Sequence, residues 1–315
     1  MATSGSSDFT VNRDQILESA YRIINVISAG DSLTSDQVTE GSRQLNMMCK
    51  TWQSEGLNLW VAQEATMWMV KDQVSYNLPG ANATSSFTQT AIKVAASDTD
   101  TTIDVDSTSG MTAGDFIGLT MDDATIHWST IASVTDSDTV VIDDAIDDDA
   151  AVDNKVFFYT TKIGRPLRVI SARRRETGDI DIPIRMVSRR EYNEQSDKTN
   201  SASVVEAWYD RQLTTGVLYV WKPTDTESTQ LKLTLQRKIE DFDTSTDNAD
   251  YPSEWEEALV WNLAVKLGIR NGVSDKIMAQ VRAEAMQTKG SAKDFDREDA
   301  SFSIQFDVYG ENYGS

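Results

Sequence analysis

A single histidine, His127 in TIHWST, and a single cysteine, Cys49, bound the side-chain chemistry open to this 315-residue chain. One imidazole cannot build a multi-histidine metal site, and a lone His in a strand-like run is a poor base for a Ser-His-Asp triad. One thiol forms no internal disulfide and no zinc ribbon, and suits folding in a reducing cytosol. Gly178, Gly216 and the other glycines are isolated, so the sequence carries no phosphate-cradling loop. Carboxylates are the remaining source of chemistry. Glu55, beside Trp52 and Gly56, is the best-placed glycosidase-type acid, which needs one carboxyl in an apolar pocket and a second several ångströms away. Its alternative is an ordinary polar residue in the last turn of a helix. The run DDAIDDDAAVD at 143–153 offers hard oxygen ligands for Ca2+ but lacks EF-hand spacing, and a solvated, self-repelling face explains it more simply. The triplet Arg173, Arg174 and Arg175 invites phosphate contact, yet no basic-aromatic repeat accompanies it, and pairing with acids across a subunit boundary is the better expectation. No cofactor, no metal and no enzymatic activity are expected.

Charge is distributed unevenly. Fifteen aspartates fall between Asp98 and Asp153 with no Glu, Lys or Arg among them; removing them leaves −6 of the formal −21. Residues 162–190 reverse the balance, with nine Lys and Arg against Glu176, Asp179 and Asp181, a shift that marks a domain boundary. Hydrophobic residues make up 39% of the chain and are spread along it, enough for one or two cores. No apolar run approaches the roughly 18 residues of a membrane span, and MATSGSSDFT has no signal-peptide pattern, so a soluble protein is expected.

The periods change along the chain. Asn12 and Gln15 form a capping box ahead of Ile16, Leu17, Ala20, Ile23, Ile24 and Ile27 at helical spacing, with Gly30 ending the helix. Thr34 and Gln37 repeat the box, and the second helix carries Val38, Leu45, Met48, Cys49 and Trp52 on one face before Gly56. So short a link sets these two helices antiparallel. Met67 and Met69, then Val74, Tyr76 and Leu78, predict a hairpin around Lys71-Asp72-Gln73. From about 91 to 159 the runs IKVAA, TTIDV, DFIGL, TIHWSTIASV, TVVI and KVFFY are spaced as in a small β-sandwich or barrel. After Pro166 a second β region follows, with Thr214-Thr215-Gly216 as a hairpin turn and SRREYNEQ as a short helix. Ser253 and Glu256 offer a third capping box to a helix carrying Trp255, Leu259, Asn262, Leu263 and Leu267; DKIMAQVRAEAMQTK gives another. Near the end, Phe302, Ile304, Phe306 and Val308 alternate with polar residues, the pattern of a strand that either returns to its own domain or docks on another subunit.

The stretch YRIINVISAGDSLTSDQVTEGSRQLNMMCKTWQSEGLNLW resembles the opening of the head-to-tail adaptor (tail accessory, or head completion) proteins of short-tailed phages of the P22 type, through Leu45, Asn46, Trp52, Gly56, Leu57 and Trp60. The later blocks RPLRVISARRR, MVSRREYNEQSDK, AWYD, VLYVWKPTD, LTLQRKIEDF and YPSEWEEALVWNLAVKLG are similar to the same family. They carry Tyr192, Lys198, Trp208, Tyr209, Trp221, Pro223, Asp241, Phe242, Pro252, Trp255, Ala258, Leu259, Asn262, Leu263 and Ala264. The likeness covers most of the chain outside about 88–160. It implies a virion protein at the head-tail junction, made in the host cytoplasm. Such proteins form a homo-oligomeric ring, usually of twelve copies, beneath the portal protein; the ring extends the DNA channel without sequence-specific DNA binding or membrane contact, and carries the tail nozzle or needle. It further implies a C-terminal arm that climbs the portal, which makes Phe302, Ile304, Phe306, Val308 and Tyr309 portal-binding residues. Trp52, Trp60, Arg173, Arg174 and Arg175 are the expected subunit-interface residues.

The expected fold is α+β: an antiparallel helical core from the N- and C-terminal helices, a β region and an inserted small all-β domain. Its segments are 1–87 (helical hairpin and β-hairpin), 88–160 (inserted acidic β domain), 161–250 (β region), 251–299 (C-terminal helices) and 300–315 (arm). Two other functions stay open, a tail-associated peptidoglycan hydrolase acting through Glu55 and a calcium-dependent surface-binding β module.

Overall fold

The computed structural model describes Gly5 and residues 9–56, 59–80, 82–176, 179–226 and 229–296. It is a mixed α+β protein with two curled sheets. Helices α1 (Arg13–Ile23) and α2 (Ser35–Glu55) come first, followed by strands β1 (Ala62–Trp68), β2 (Ser75–Leu78), β3 (Ala83–Thr84) and β4 (Thr88–Ala91). Next are β5 (Thr102–Asp104), β6 (Phe116–Thr120), β7 (Ile126–Val134), β8 (Thr139–Ile142) and β9 (Lys155–Tyr159). Then come β10 (Arg168–Glu176), β11 (Ile180–Met186), α3 (Arg189–Glu194), β12 (Glu206–Arg211), β13 (Gly216–Trp221) and β14 (Gln230–Gln236), and finally α4 (Glu256–Arg270) and α5 (Asp275–Phe295). The chain divides into two compact units, residues 1–60 with 240–315, and residues 61–239. None of the helices described is long and apolar enough to cross a membrane.

In the first unit the local signals act where the sequence places them. The Asn12 side chain accepts from the Gln15 N–H at 3.0 Å while the Gln15 side chain accepts from the Asn12 N–H at 3.0 Å, and Thr34 with Gln37 does the same for α2. Two boundaries differ from expectation. Helix α1 stops well before Gly30, because Asn25 takes the left-handed conformation (φ 56°) and the Val26 N–H returns to the Tyr21 carbonyl, an asparagine C-cap. Before α4 there is no capping box: Ser253–Trp255 is a 3-10 turn, and the buried Glu256 accepts from the Val11 N–H at 3.1 Å instead. Helix α4 touches α1, α2 and α5, and buries Leu259, Leu263 and Leu267 with Ile16 and Leu17 of α1 and Leu45 and Met48 of α2 among the core residues.

The second unit holds both sheets. The eight-stranded sheet runs β2-β13-β12-β11-β10-β14-β1-β3, antiparallel except for β11 with β12. The expected hairpin between β1 and β2 does not form. Strand β1 pairs with β14 and β3, whereas β2 pairs with β13. The reason is burial: Ala65 and Met67 of β1 share one apolar layer with Leu231, Leu233 and Leu235 of β14 and Ala172 of β10. The turn at 212–215 does join β12 to β13 as an antiparallel pair. The six-stranded sheet runs β4-β9-β6-β7-β8-β5 around Ile103, Val105, Ile117, Leu119, Ile131, Val140, Ile142 and Val156. It curls until its edges meet, where Ile92 bridges Val105 and the Asp106 N–H donates to the Ala91 carbonyl at 2.9 Å. Trp68 of β1, 1% exposed, joins the two sheets through ring contacts with Phe87, Trp128 and Phe157 at 4.9, 5.2 and 5.1 Å.

Candidate functional site

The aromatic corner is built by the end of α2 and the start of α4. Trp52 packs on Trp255 and Tyr251 at 5.7 and 6.2 Å between ring centroids, and Trp60 on the same pair at 5.1 and 5.4 Å. Asn46, one turn and a half earlier on α2, clasps the backbone of Phe242, donating to its carbonyl at 3.2 Å and accepting from its N–H at 2.9 Å. Burial pushes the Cys49 thiol up to about 12, so it fills space as a neutral group. Trp52 is 5% exposed, so nearly all of its ring is packed within its own unit. Trp60 is half-buried in the same cluster.

Glu55 accepts from Lys289 and Lys293, each at 2.8 Å. Burial pushes its carboxyl up, but the hydrogen bonds and charges of the two lysines outweigh this and hold it below the ordinary carboxylate range. A glycosidase acid needs the opposite shift. Glu55 is therefore an ionised anchor between the end of α2 and α5.

The three arginines of β10 divide by strand alternation. Arg174 shares the core side with Ala172 and is held by the Val204 carbonyl and Glu176, both at 2.7 Å. Arg173 and Arg175 stand on the opposite, polar face, where Arg173 donates to Glu64 at 2.7 Å and Arg175 grips Asp181 with two bonds at 2.7 and 2.9 Å. Acids that pair with the three arginines are thus supplied within the same unit. Lys232 of β14 stands directly opposite Arg173 and, on its other side, opposite Thr66 of β1, to whose hydroxyl it donates at 2.7 Å. Burial, then the charge of Arg175, holds the Lys232 ammonium below its ordinary value. Sequence reading missed Glu64, Thr66 and Lys232. Their only signal was polar alternation in three strands, and register alone brings them together.

The aspartates of the six-stranded sheet build turns. Asp100 accepts from the Ser97 N–H at 2.8 Å, Asp115 from the Thr112 N–H at 2.8 Å, Asp123 from the Thr125 N–H at 2.8 Å and Asp136 from the Thr139 N–H at 2.8 Å. A carboxylate on one methylene reaches a backbone N–H two or three residues away, and the aspartates of this run are used in that way. Among the described residues no three His, Cys, Asp or Glu side chains gather as a metal site. His127 ties β7 to the loop after β8, its ring nitrogens 3.0 Å from Asp147 Oδ1 and 3.3 Å from the Asp144 carbonyl.

Phe302, Ile304, Phe306, Val308 and Tyr309 lie outside the described residues. No protein-family model matches the chain, and no curated protein is similar to it.

Proposed function

We propose that this chain is a structural head-to-tail connector of a phage virion, a ring-forming adaptor that binds the portal, extends the DNA channel and carries the nozzle or needle. The observation that carries this reading is the convergence of the residues behind the family resemblance. Asn46 clasps Phe242 across 196 residues of sequence, and Trp52 and Trp60 meet Trp255. A second group, Tyr192, Trp208 and Trp221, flanks the end of α3 and the loop after it: Trp208 contacts the Tyr192 ring at 5.7 Å, and the Trp221 indole donates to the Asp197 carbonyl at 2.6 Å. Residues that serve only to lock a scaffold are what a passive connector requires.

On this reading the helices from the two ends of the chain form an antiparallel core, 161–250 supplies the β region, 88–160 is an inserted β module, and the arm at 300–315 docks on the portal. Electron micrographs of the full-length protein with its portal ring should show a second ring, of about twelve copies, stacked on the first. The chain cut after Ala300 should leave the portal bare. A full-length protein that stays monomeric beside its portal, or that degrades peptidoglycan, would sink the proposal.

A further inference from the structure

We propose that the polar face of the eight-stranded sheet carries a binding site for a small oxyanion, the phosphate or carboxylate group of a ligand, seated on Lys232 between Arg173 and Arg175. A cavity of about 370 Å3 opens there, lined by these three cations, the hydroxyl-bearing Thr66, Ser85 and Ser86, the ring of Phe87, and one carboxylate, Glu64. A larger cavity of about 450 Å3 lies alongside and shares Phe87, Arg175 and Lys232 with it, which leaves room for the rest of a ligand.

Charge bookkeeping favours an anion in the smaller cavity. The chain as a whole carries −21, and of the three cations in this lining Arg173 pairs with Glu64 and lies 3.9 Å from Asp181, while Arg175 pairs with Asp181 and lies 3.8 Å from Asp179, so that among the described residues Lys232 is the cation whose charge is left for a ligand. Glu64 is already engaged at both oxygens, by Arg173 at 2.7 Å and by the Thr234 hydroxyl at 2.6 Å, and Asp181 is spent on Arg175. Lys232 is half-buried, its ring contact is Phe87 at 5.3 Å, and among the described residues its ammonium donates to Thr66 alone and has no carboxylate within 4.0 Å. Two of its three N–H bonds are therefore left to point at the cavity or at water. Partly desolvated like charges side by side cost free energy, and a bound oxyanion removes that cost while satisfying the spare donors. Asp153, Glu176 and Asp179 line the larger cavity and not the smaller, so the anionic end of a ligand belongs in the smaller one. The proposal does not depend on the connector reading.

The test uses the full-length protein and inorganic phosphate, with sodium chloride at equal ionic strength as the control for screening. Phosphate should raise Tm in a saturable manner that chloride does not reproduce, and calorimetry should return a finite Kd. Lys232→Met should weaken phosphate binding about tenfold or more, the loss of one charge-assisted hydrogen bond, and should raise Tm in phosphate-free buffer by relieving the crowding. Lys155→Met, at the far cavity only, should leave phosphate binding unchanged. Lys232→Gln serves if the methionine variant fails to fold. Competition by glucuronate would show that a carboxylate is accepted; phosphate binding without it would restrict the site to phosphate. The proposal is overturned if chloride matches phosphate on the unaltered protein, or if the Lys232 variant binds phosphate as well as the original.

Discussion

At the scale of single residues, side-chain length decides more than charge does. Asp115, 1% exposed, holds both the N–H and the hydroxyl of Thr112, at 2.8 and 3.0 Å. Asp115→Glu keeps the charge and the functional group but places the carboxylate one methylene too far inside a packed turn. It should cost about 1–3 kcal/mol, read as a drop in the urea midpoint at unchanged slope. A neutral outcome would mean that the aspartates were chosen for their charge and not for their reach. The same logic separates Glu55 from an enzymatic acid: what surrounds a carboxyl, here two lysines, sets its protonation and hence its use.

At the scale of elements, register and close approach matter most. Gly216 begins β13 opposite Arg211, and the ring of Tyr209 lies where a β-carbon on residue 216 would stand. The Tyr209 hydroxyl is fixed by the Pro166 carbonyl at 2.8 Å, so the ring cannot swing away without losing that bond. Gly216→Ala should therefore destabilise by about 1–3 kcal/mol although alanine suits a strand better than glycine does. Thermal unfolding of Gly216→Ala beside Gly216→Ala with Tyr209→Phe tests the cause. If releasing the hydroxyl recovers none of the loss, the overlap with a tethered ring is not the reason.

At the scale of the whole molecule, two electrostatic effects oppose each other as pH falls. A net charge of −21 repels itself, and protonation toward the pI of about 4.4 relieves that strain. Against this stand carboxylates held below their ordinary values by hydrogen bonds, Asp123 by Thr125 and Asp136 by the N–H groups of Asp138 and Thr139. A depressed folded-state value contributes stability that is complete above the unfolded carboxylate value, about 4, and is lost as pH drops through the folded one. Tm should accordingly rise from pH 7 to about 5 and fall below about 4, with added salt raising it more at pH 7 than at pH 5. A Tm that declines steadily from pH 7 would show that self-repulsion is not a significant term.

The sequence by itself determined most of what has its partners within a few residues, the end of α1 and the start of α4 excepted. The capping boxes at Asn12 and Thr34, the strand runs and the turn at 212–215 depend on local geometry, and each could be read directly. It could not determine partners distant in the chain. Lys232 finds Thr66 across 166 residues and Glu55 finds Lys289 across 234, so a half-buried lysine and a lysine-paired carboxylate were both invisible until the strands and helices had assembled. The hairpin expected of β1 and β2 failed for the same reason: strands choose the neighbour with which they can bury one apolar face, and for β1 that neighbour is β14. Trp52 was legible as part of the apolar face of its helix, but its ring partners Tyr251 and Trp255, about 200 residues away, were not.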